Sequence, residues 1–155
     1  MEKGIAEMLP NGPLASSPVV DIRVTLLDGS AHSVDSSEMA FKIAAAQAVR
    51  QGMLEARPVL LEPVMKLSIR VPGDYVGDVM SDMNSRRGQV HGVESDGDLS
   101  VIEAQAPLSE VQRYATDLRS ITQGRGHYTM EVSHYEEVPA HVLQRMIQSA
   151  EQESS

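Results

Sequence analysis

Apolar and polar residues alternate in two different periods along the chain, and these periods predict its strands and helices. Residues 64–71 alternate one by one, as in a half-buried strand, whereas the stretch between Pro72 and Gly88 carries apolar residues at helical spacing. Asp96-Gly97 is typical of a β-hairpin, and Gly88 is expected to cap the first helix. The elements predicted after residue 62 are a strand at 64–71, a helix from Pro72 to Gly88, strands at 89–94 and 99–106, one helix from Pro107 to Gly124, a strand at 127–135 and a helix at 139–149.

The order of these elements, βαββαβ with a terminal helix, predicts the fold class. Right-handed crossovers bring such strands into a four-stranded antiparallel sheet with two helices on one face. We therefore expect an α+β protein with a ferredoxin-like sandwich. His127 and His134 are seven residues apart on the last strand, so they are expected on opposite faces of the sheet.

The first third of the chain gives an incomplete pattern. Residues 1–9 predict a helix and residues 18–27 an amphipathic strand; Asp35 and Glu38 resemble a capping box for a helix that ends near Ala56. A single strand cannot satisfy its own backbone groups, and residues 1–57 offer it no partner. We therefore expect a truncated helix–strand–helix piece of a second α/β domain. The chain is expected to be a monomer, although a strand left unpaired by truncation could pair with a second copy.

Composition and charge exclude several classes of protein. The 155 residues contain 13 basic and 22 acidic side chains, giving a net charge of −9, which argues against indiscriminate binding of nucleic acid. The absence of Cys excludes disulfides, thiol catalysis and cysteine-ligated zinc. No apolar run approaches the ~20 residues of a membrane span, and the N-terminus lacks a secretory pattern. We expect a soluble, cytoplasmic protein without membrane contacts.

The sequence offers no catalytic constellation. No GxxxxGK[ST] motif is present, so nucleotide hydrolysis by this chain is not expected. The five His residues show no metal-ligand spacing, and we expect neither a metal nor another cofactor to be bound.

Three polar groups are candidates for binding. His32 lies at the apex of the loop 28–35, which is either a plain solvated loop or a polar tip that fits a groove in a partner. Arg86 and Arg87 stand at one helix end, and a second helix end carries Arg119, Ser120, Gln123 and Arg125. Both clusters suit either a helix terminus or the phosphate and sugar oxygens of RNA.

Long strings of the sequence resemble the C-terminal part of bacterial-type translation elongation factor G. They include DSSEMAFKIA, LLEPVMKLSIRVP, GDVMSDMNSRRGQVHGVE and YATDLRSITQGRGHYTMEVSHYEEVP. The resemblance covers about residues 3–147 and implies that 1–57 end domain IV, with a fold like ribosomal protein S5 domain 2, and that 62–155 form domain V. The sequence departs from the family pattern at three places: Ala31 replaces an aromatic residue, Ile121 replaces a Lys, and Val111-Gln112-Arg113 replaces an apolar-aromatic stretch.

The resemblance also implies a function and its residues. The family promotes GTP-dependent movement of tRNA and mRNA on the 70S-type ribosome, and its GTP and Mg²⁺ belong to an N-terminal domain outside this chain. Its decoding-site tip corresponds to Asp28, Gly29, Ser30 and His32; its contact with the sarcin–ricin loop of large-subunit rRNA, near the stalk base, corresponds to Arg119, Ser120, Gln123 and Arg125.

Other functions remain open at the level of sequence. One is a ribosome-acting paralogue, such as a recycling or ribosomal protection factor. Another is a free-standing ferredoxin-like module that binds a small ligand. The bacterial cytoplasm is the expected location, and an organellar matrix is also compatible with the sequence.

Overall fold

The computed structural model describes residues 1–153, without the side chains of residues 150, 151 and 153. Two compact units are described separately below: the sheet unit, Leu61–Glu137, and the first unit, which comprises Met1–Leu60 and the segment from Val138 onward. The predicted domain 62–155 ends in two residues, 154 and 155, that lie outside the described part. The elements are, in chain order, α1 (Glu2–Met8), α2 (Glu38–Glu55), β1 (Leu61–Pro72), a 3-10 turn (Gly73–Tyr75), α3 (Val76–Ser85), β2 (Gln89–Asp96), β3 (Leu99–Pro107), α4 (Leu108–Val111), α5 (Tyr114–Ile121), β4 (His127–Glu137) and α6 (Ala140–Glu153).

The sheet unit is built on a four-stranded antiparallel sheet with the order β2-β3-β1-β4. β1 lies in the middle and pairs with β3 on one side and with β4 on the other. The chain order βαββαβ with this strand order is the predicted ferredoxin-like arrangement, which is therefore confirmed.

A β-bulge in β4 changes the predicted positions of two histidines. His127 pairs with Arg70 and His134 with Val64, and the register shifts between Val64 and Met65. Arg70 and Val64 are six residues apart on β1, so both histidines face the same side of the sheet. The prediction of opposite faces is wrong because the bulge adds one residue to β4.

Alternation along β1 separates a core face from an open face. Leu67, Ile69 and Val71 are fully buried, whereas Lys66 and Arg70 between them are exposed. Burial of each such Leu, Ile or Val side chain contributes roughly 1.5–3 kcal/mol. The core side chains that pack against this row come from β3, α3, α4 and α5: Ile102, Ala104, Ala106, Val79, Met83, Val111, Tyr114 and Leu118.

Tyr114 is the largest fully buried side chain of this core. Its ring meets that of Tyr128 edge to face, with centroids 5.1 Å apart, and the guanidinium of Arg86 lies 5.3 Å from the ring centre. Burial raises the pKa of the Tyr114 hydroxyl, and within the described residues this hydroxyl has no hydrogen-bond partner. The side chain therefore contributes as an apolar and aromatic group, at the cost of one unpaired polar atom.

Both long helices of the sheet unit end in the same hydrogen-bonded turn. After α3, Arg87 takes a φ of +57°, and the N–H of Gly88 donates to the Met83 carbonyl at 3.0 Å. After α5, Gln123 takes a φ of +52°, and the N–H of Gly124 donates to the Arg119 carbonyl at 2.8 Å. Each turn has the 6→1 hydrogen bond of a Schellman motif, with a non-glycine residue in the left-handed position.

The prediction that Gly88 caps α3 is wrong by one position. Arg87 supplies the left-handed turn, and a Cβ added at Gly88 would lie 2.6 Å from the Met83 carbonyl oxygen. Gly88 is therefore required by the close approach of the two backbone segments.

Arg86 connects three helices. Its guanidinium donates to Asp82 at 2.8 Å, to Asp117 at 2.8 Å and to the Glu110 carbonyl at 2.9 Å. The hydrogen bond to Asp82 is the main cause that raises the pKa of Arg86. With 17% of its side chain exposed, Arg86 joins α3, α4 and α5 from a largely buried position.

Arg87 is held in a second ion-pair cluster. It donates to Glu62 at 2.6 Å and to Glu110 at 3.1 Å, and the bond to Glu62 is the main cause that raises its pKa. Arg86 and Arg87 thus have a role that neither interpretation from the sequence included, because carboxylates of the same unit occupy both guanidinium groups.

The single helix predicted from Pro107 to Gly124 is wrong, because it is interrupted. α4 ends at Val111 and α5 begins at Tyr114, with Arg113 at φ −108° and ψ 17° between them. Val111 and Tyr114 are both fully buried. The apolar spacing continues across the break, so the pattern alone could not detect it.

The predicted strand at 18–27 is wrong, since these residues form no strand in the described structure. Asp21 takes a φ of +56°, which interrupts an extended conformation. The apolar residues Val20 and Leu26 are 61% and 68% exposed. Ile22, Val24 and Leu26 line an open cleft together with residues of α1 and α2, and without a neighbouring strand the segment has no hydrogen-bonded ladder to join.

The rest of the first unit is a helix pair followed by a terminal helix. α1 and α2 meet at Gly4, where an added Cβ would collide with the Lys42 backbone; nearby, Lys42 donates to Glu7 at 2.7 Å. This hydrogen bond lowers the pKa of Glu7 and raises that of Lys42. α2 is capped by Ser37, whose hydroxyl accepts from the Ala40 N–H at 3.0 Å.

The predicted capping box of Asp35 and Glu38 is therefore wrong, because α2 begins later than the pattern suggests. α6 starts one residue after its predicted beginning. Among residues 1–153, the structure contains no helix that is both long and apolar enough to cross a bilayer.

Replacement of Tyr114 by Phe is expected to raise the free energy of unfolding by about 1 kcal/mol, because it removes a buried hydroxyl that has no partner. Urea unfolding of the 155-residue chain measures the change. Tyr128→Phe is the matched control, since Tyr128 is only half-buried and should change stability by less than about 0.5 kcal/mol. A loss of stability in Tyr114→Phe would contradict this account of the core.

Arg86→Met is expected to lower the free energy of unfolding by roughly 2 kcal/mol, because it leaves the Asp82 and Asp117 carboxylates without their shared partner. The exposed pair of Arg70 with Asp96, 3.6 Å apart, provides the control. Arg70→Met should cost at most about 0.5 kcal/mol. Equal losses in the two variants would argue that Arg86 is an ordinary surface cation.

Candidate nucleic-acid interface

The end of α5 is fixed by a buried threonine. The Thr122 hydroxyl donates to the Leu118 carbonyl at 2.7 Å and accepts from the Gly126 N–H at 2.8 Å. Thr122 is fully buried, and a Cβ added at Gly126 would lie 2.8 Å from its hydroxyl oxygen. These bonds hold residues 122–126 in one conformation between α5 and β4.

The four residues predicted to contact RNA lie together at this helix end. Arg119 and Ser120 occupy the last turn of α5, Gln123 follows in the left-handed position, and Arg125 lies in the fixed loop; all four are exposed. Within the described residues, Arg119 forms neither an ion pair nor a side-chain hydrogen bond. Its donors are therefore available to a ligand.

Arg125 is oriented by an aromatic residue from another part of the sheet unit. Its guanidinium lies 5.0 Å from the ring centre of Tyr75 and donates a hydrogen bond to the Tyr75 hydroxyl. A guanidinium that stacks on a ring loses less conformational freedom when it binds an anion. Tyr75 therefore restricts Arg125 while leaving it exposed.

The chemistry of this cluster favours binding over catalysis. Arg119 and Arg125 can donate to phosphate oxygens, and Ser120 and Gln123 can exchange hydrogen bonds with sugar or base atoms. The neighbouring carboxylate of Asp117 already accepts from Arg86 at 2.8 Å. A local region suited to anions thus exists on a chain whose net charge is −9.

The loop with His32 forms a separate polar tip in the first unit. The N–H of His32 donates to the Ser36 hydroxyl at 2.6 Å, and the Ser36 N–H donates to the His32 carbonyl at 3.1 Å. Asp28 accepts from the N–H of Gly29 at 2.7 Å. Asp28, Gly29, Ser30 and His32 are all exposed, and in the described part of the chain the imidazole of His32 has no hydrogen-bond partner.

Two positioning residues were not identified from the sequence. The apolar spacing of the first predicted helix accounted for Tyr75 as a core-facing residue. Thr122 is not part of the apolar spacing of the second predicted helix, so the pattern assigned it no role. A hydroxyl residue directly before Gln123-Gly124, where a helix must end, was the available signal for Thr122.

A third polar cluster lies on the sheet unit. On the edge strand β4, His134 contacts the Ser133 hydroxyl at 2.9 Å and Glu136 at 2.7 Å, and all three residues are exposed. In the part of the chain that the structure describes, no group of three or more His, Asp or Glu residues could hold a metal ion.

Comparison with known proteins relates both units to one family. Residues 1–57 match the family model "Elongation factor G, domain IV", and residues 59–146 match "Elongation factor G C-terminus". The chain is 52% identical over 147 residues to elongation factor G of Aquifex pyrophilus, covering 95% of this chain and 21% of that protein. A crystal structure of a protein from Thermus thermophilus has a TM-score of 0.81 at 48% identity, with 97% of this chain and 23% of that one covered.

The chain therefore spans about a fifth of the length of these relatives. The matches to the two family models cover residues 1–146 except residue 58, and they agree with the expected resemblance. The chain belongs to the elongation factor G family.

Proposed function

We propose that this chain is the ribosome-binding C-terminal part of a translation elongation factor that promotes GTP-dependent translocation of tRNA and mRNA. The observation that carries this proposal is the exposed group of Arg119, Ser120, Gln123 and Arg125 in a member of the elongation factor G family. GTP and Mg²⁺ are assigned to an N-terminal domain outside this chain. The chain itself is proposed to act without a cofactor and to catalyse no reaction. The proposed location is the bacterial cytoplasm.

The proposed partner of the α5 cluster is the sarcin–ricin loop of large-subunit rRNA, near the stalk base. Support comes from the contrast between the paired and unpaired cations of the sheet unit. Arg86 and Arg87 are neutralised by carboxylates, whereas the donors of Arg119 are free among the described residues. An acidic surface with a few free cations binds RNA at one place and avoids a large sequence-independent affinity.

The proposed partner of the His32 loop is the tRNA–mRNA complex in the decoding-side A site. The reciprocal bonds between His32 and Ser36 fix the backbone of this loop next to α2, and the imidazole remains exposed. On its C-terminal side the loop leads directly into the 18-residue α2, which anchors it there. We assign to it the role of blocking the return of tRNA after each step.

The combined substitution Arg119→Ala/Gln123→Ala is expected to weaken binding of the 155-residue chain to 70S ribosomes and to reduce its dependence on salt, because it removes one phosphate contact and one polar contact. Pelleting over a salt series measures both effects. Lys66→Ala, an exposed cation on the open face of the sheet, is the charge control. Equal binding of the parent chain and the double variant would show that the ribosome contact does not lie at the end of α5.

His32→Ala in a full-length factor is expected to slow single-round translocation about tenfold. Ribosome-stimulated GTP hydrolysis should stay within a factor of about two of the parent rate, because the His32 loop is proposed to act on tRNA and the nucleotide is assigned to another domain. Rapid kinetics of tRNA movement and of phosphate release separate these steps. Ser36→Ala, which loosens the loop but keeps the imidazole, should have an intermediate effect. A normal translocation rate in His32→Ala would contradict the proposed role, and a parallel ribosome-recycling assay would reveal a paralogous function.

A further inference from the structure

The exposed side of α5 carries a second free cation that the predicted site does not include. Arg113 precedes the first residue of α5, and its carbonyl accepts from the Thr116 N–H at 3.1 Å, so it is continuous with the helix. Its side chain is exposed and, among the described residues, forms neither a hydrogen bond nor an ion pair. In this respect Arg113 resembles Arg119.

Helical geometry places Arg113 on the same side of α5 as the predicted contacts. At about 100° per residue, Arg113, Thr116, Arg119 and Ser120 fall within an arc of about 120°, opposite the buried Tyr114 and Leu118. All the residues of this arc are exposed, and none is acidic. Arg113 and Arg119 are separated by about 9 Å along the helix axis, so their guanidinium groups can contact different phosphates of one strand.

The position of Arg113 is unfavourable for the helix itself. It stands at the N-terminus of α5, where the helix dipole is positive, and no side chain caps this end. The positive end of the dipole repels a cation in this position. Stabilisation of the helix therefore does not explain why an arginine stands here. The same cation adds positive charge at this end of the helix, which favours an anion there.

Resting on the proposed rRNA contact, we propose that the RNA-binding surface extends along the whole exposed side of α5 and that Arg113 is a phosphate contact on it, in addition to Arg119 and Arg125. Thr116 lies between Arg113 and Arg119, and its hydroxyl can donate to the same RNA backbone. Asp117, the only acidic residue of α5, is turned toward Arg86 and accepts from it at 2.8 Å, so it does not oppose an incoming phosphate.

The test compares Arg113→Ala, Arg119→Ala and Lys66→Ala in the 155-residue chain with 70S ribosomes over a salt series. Arg113→Ala should weaken binding several-fold and reduce the slope of log affinity against log salt by about 0.7–0.9, the value for one phosphate contact. Arg113→Lys should restore most of that slope, and Lys66→Ala should leave it unchanged. Urea unfolding of Arg113→Ala should show stability equal to or greater than that of the parent chain.

Each alternative result has a distinct meaning. A reduced slope in Arg119→Ala with an unchanged slope in Arg113→Ala would overturn this inference and leave the proposed function intact. Unchanged slopes in both variants, or no saturable binding of the parent chain, would overturn the proposed RNA contact itself. Weaker binding of Arg113→Ala without a change in slope would indicate a protein surface as its partner, and a loss of stability would indicate a structural role; either would overturn the inference.

Discussion

The apolar row on β1 is the constraint on which the sheet unit depends. Leu67, Ile69 and Val71 are completely removed from solvent, and β1 is the strand that pairs on both of its edges. The helices α3, α4 and α5 pack against this row, and this packing determines where their ends lie. Thr122 and the Arg86 ion pairs then fix details that hydrophobic burial, which has no direction, cannot specify.

A division of labour among arginines follows from this packing. Arg86 and Arg87 use their donors on carboxylates within the unit, and they join helices that are separate in the chain. Arg113 and Arg119 lie on the side of α5 that faces away from the core, where no described carboxylate reaches them. Four side chains of the same type thus have two physical roles, and only their surroundings distinguish them.

The sequence was sufficient for the order of the sheet elements because each strand and helix of that unit has its partner within residues 61–137. It failed where tertiary context decides. The segment 18–27 has the alternation of a strand, but Asp21 interrupts it and no other described strand supports it. The break at Arg113 was hidden because Val111 and Tyr114 are both buried.

The candidate site shows the same limits of sequence reasoning. The strings that resemble elongation factor G indicated the exposed residues of the α5 end and of the His32 loop. They could not indicate that Arg125 rests on Tyr75, since these residues are 50 positions apart in the chain. Equally, no local pattern distinguishes Arg86, whose partners include Asp117 from a different helix, from an arginine that is free.

The exposed backbone of residues 20–27 implies that amide protons exchange with solvent at very different rates in this segment and in the sheet unit. Amide protons of this segment face solvent without a ladder, so they should exchange with deuterium almost as rapidly as those of an unfolded chain. Amides in the middle of β1 are released only when the sheet unit opens as a whole. The segment that leads to the His32 loop can therefore change its conformation at little cost in free energy. A partner can reshape this segment without disturbing the fold of the sheet unit.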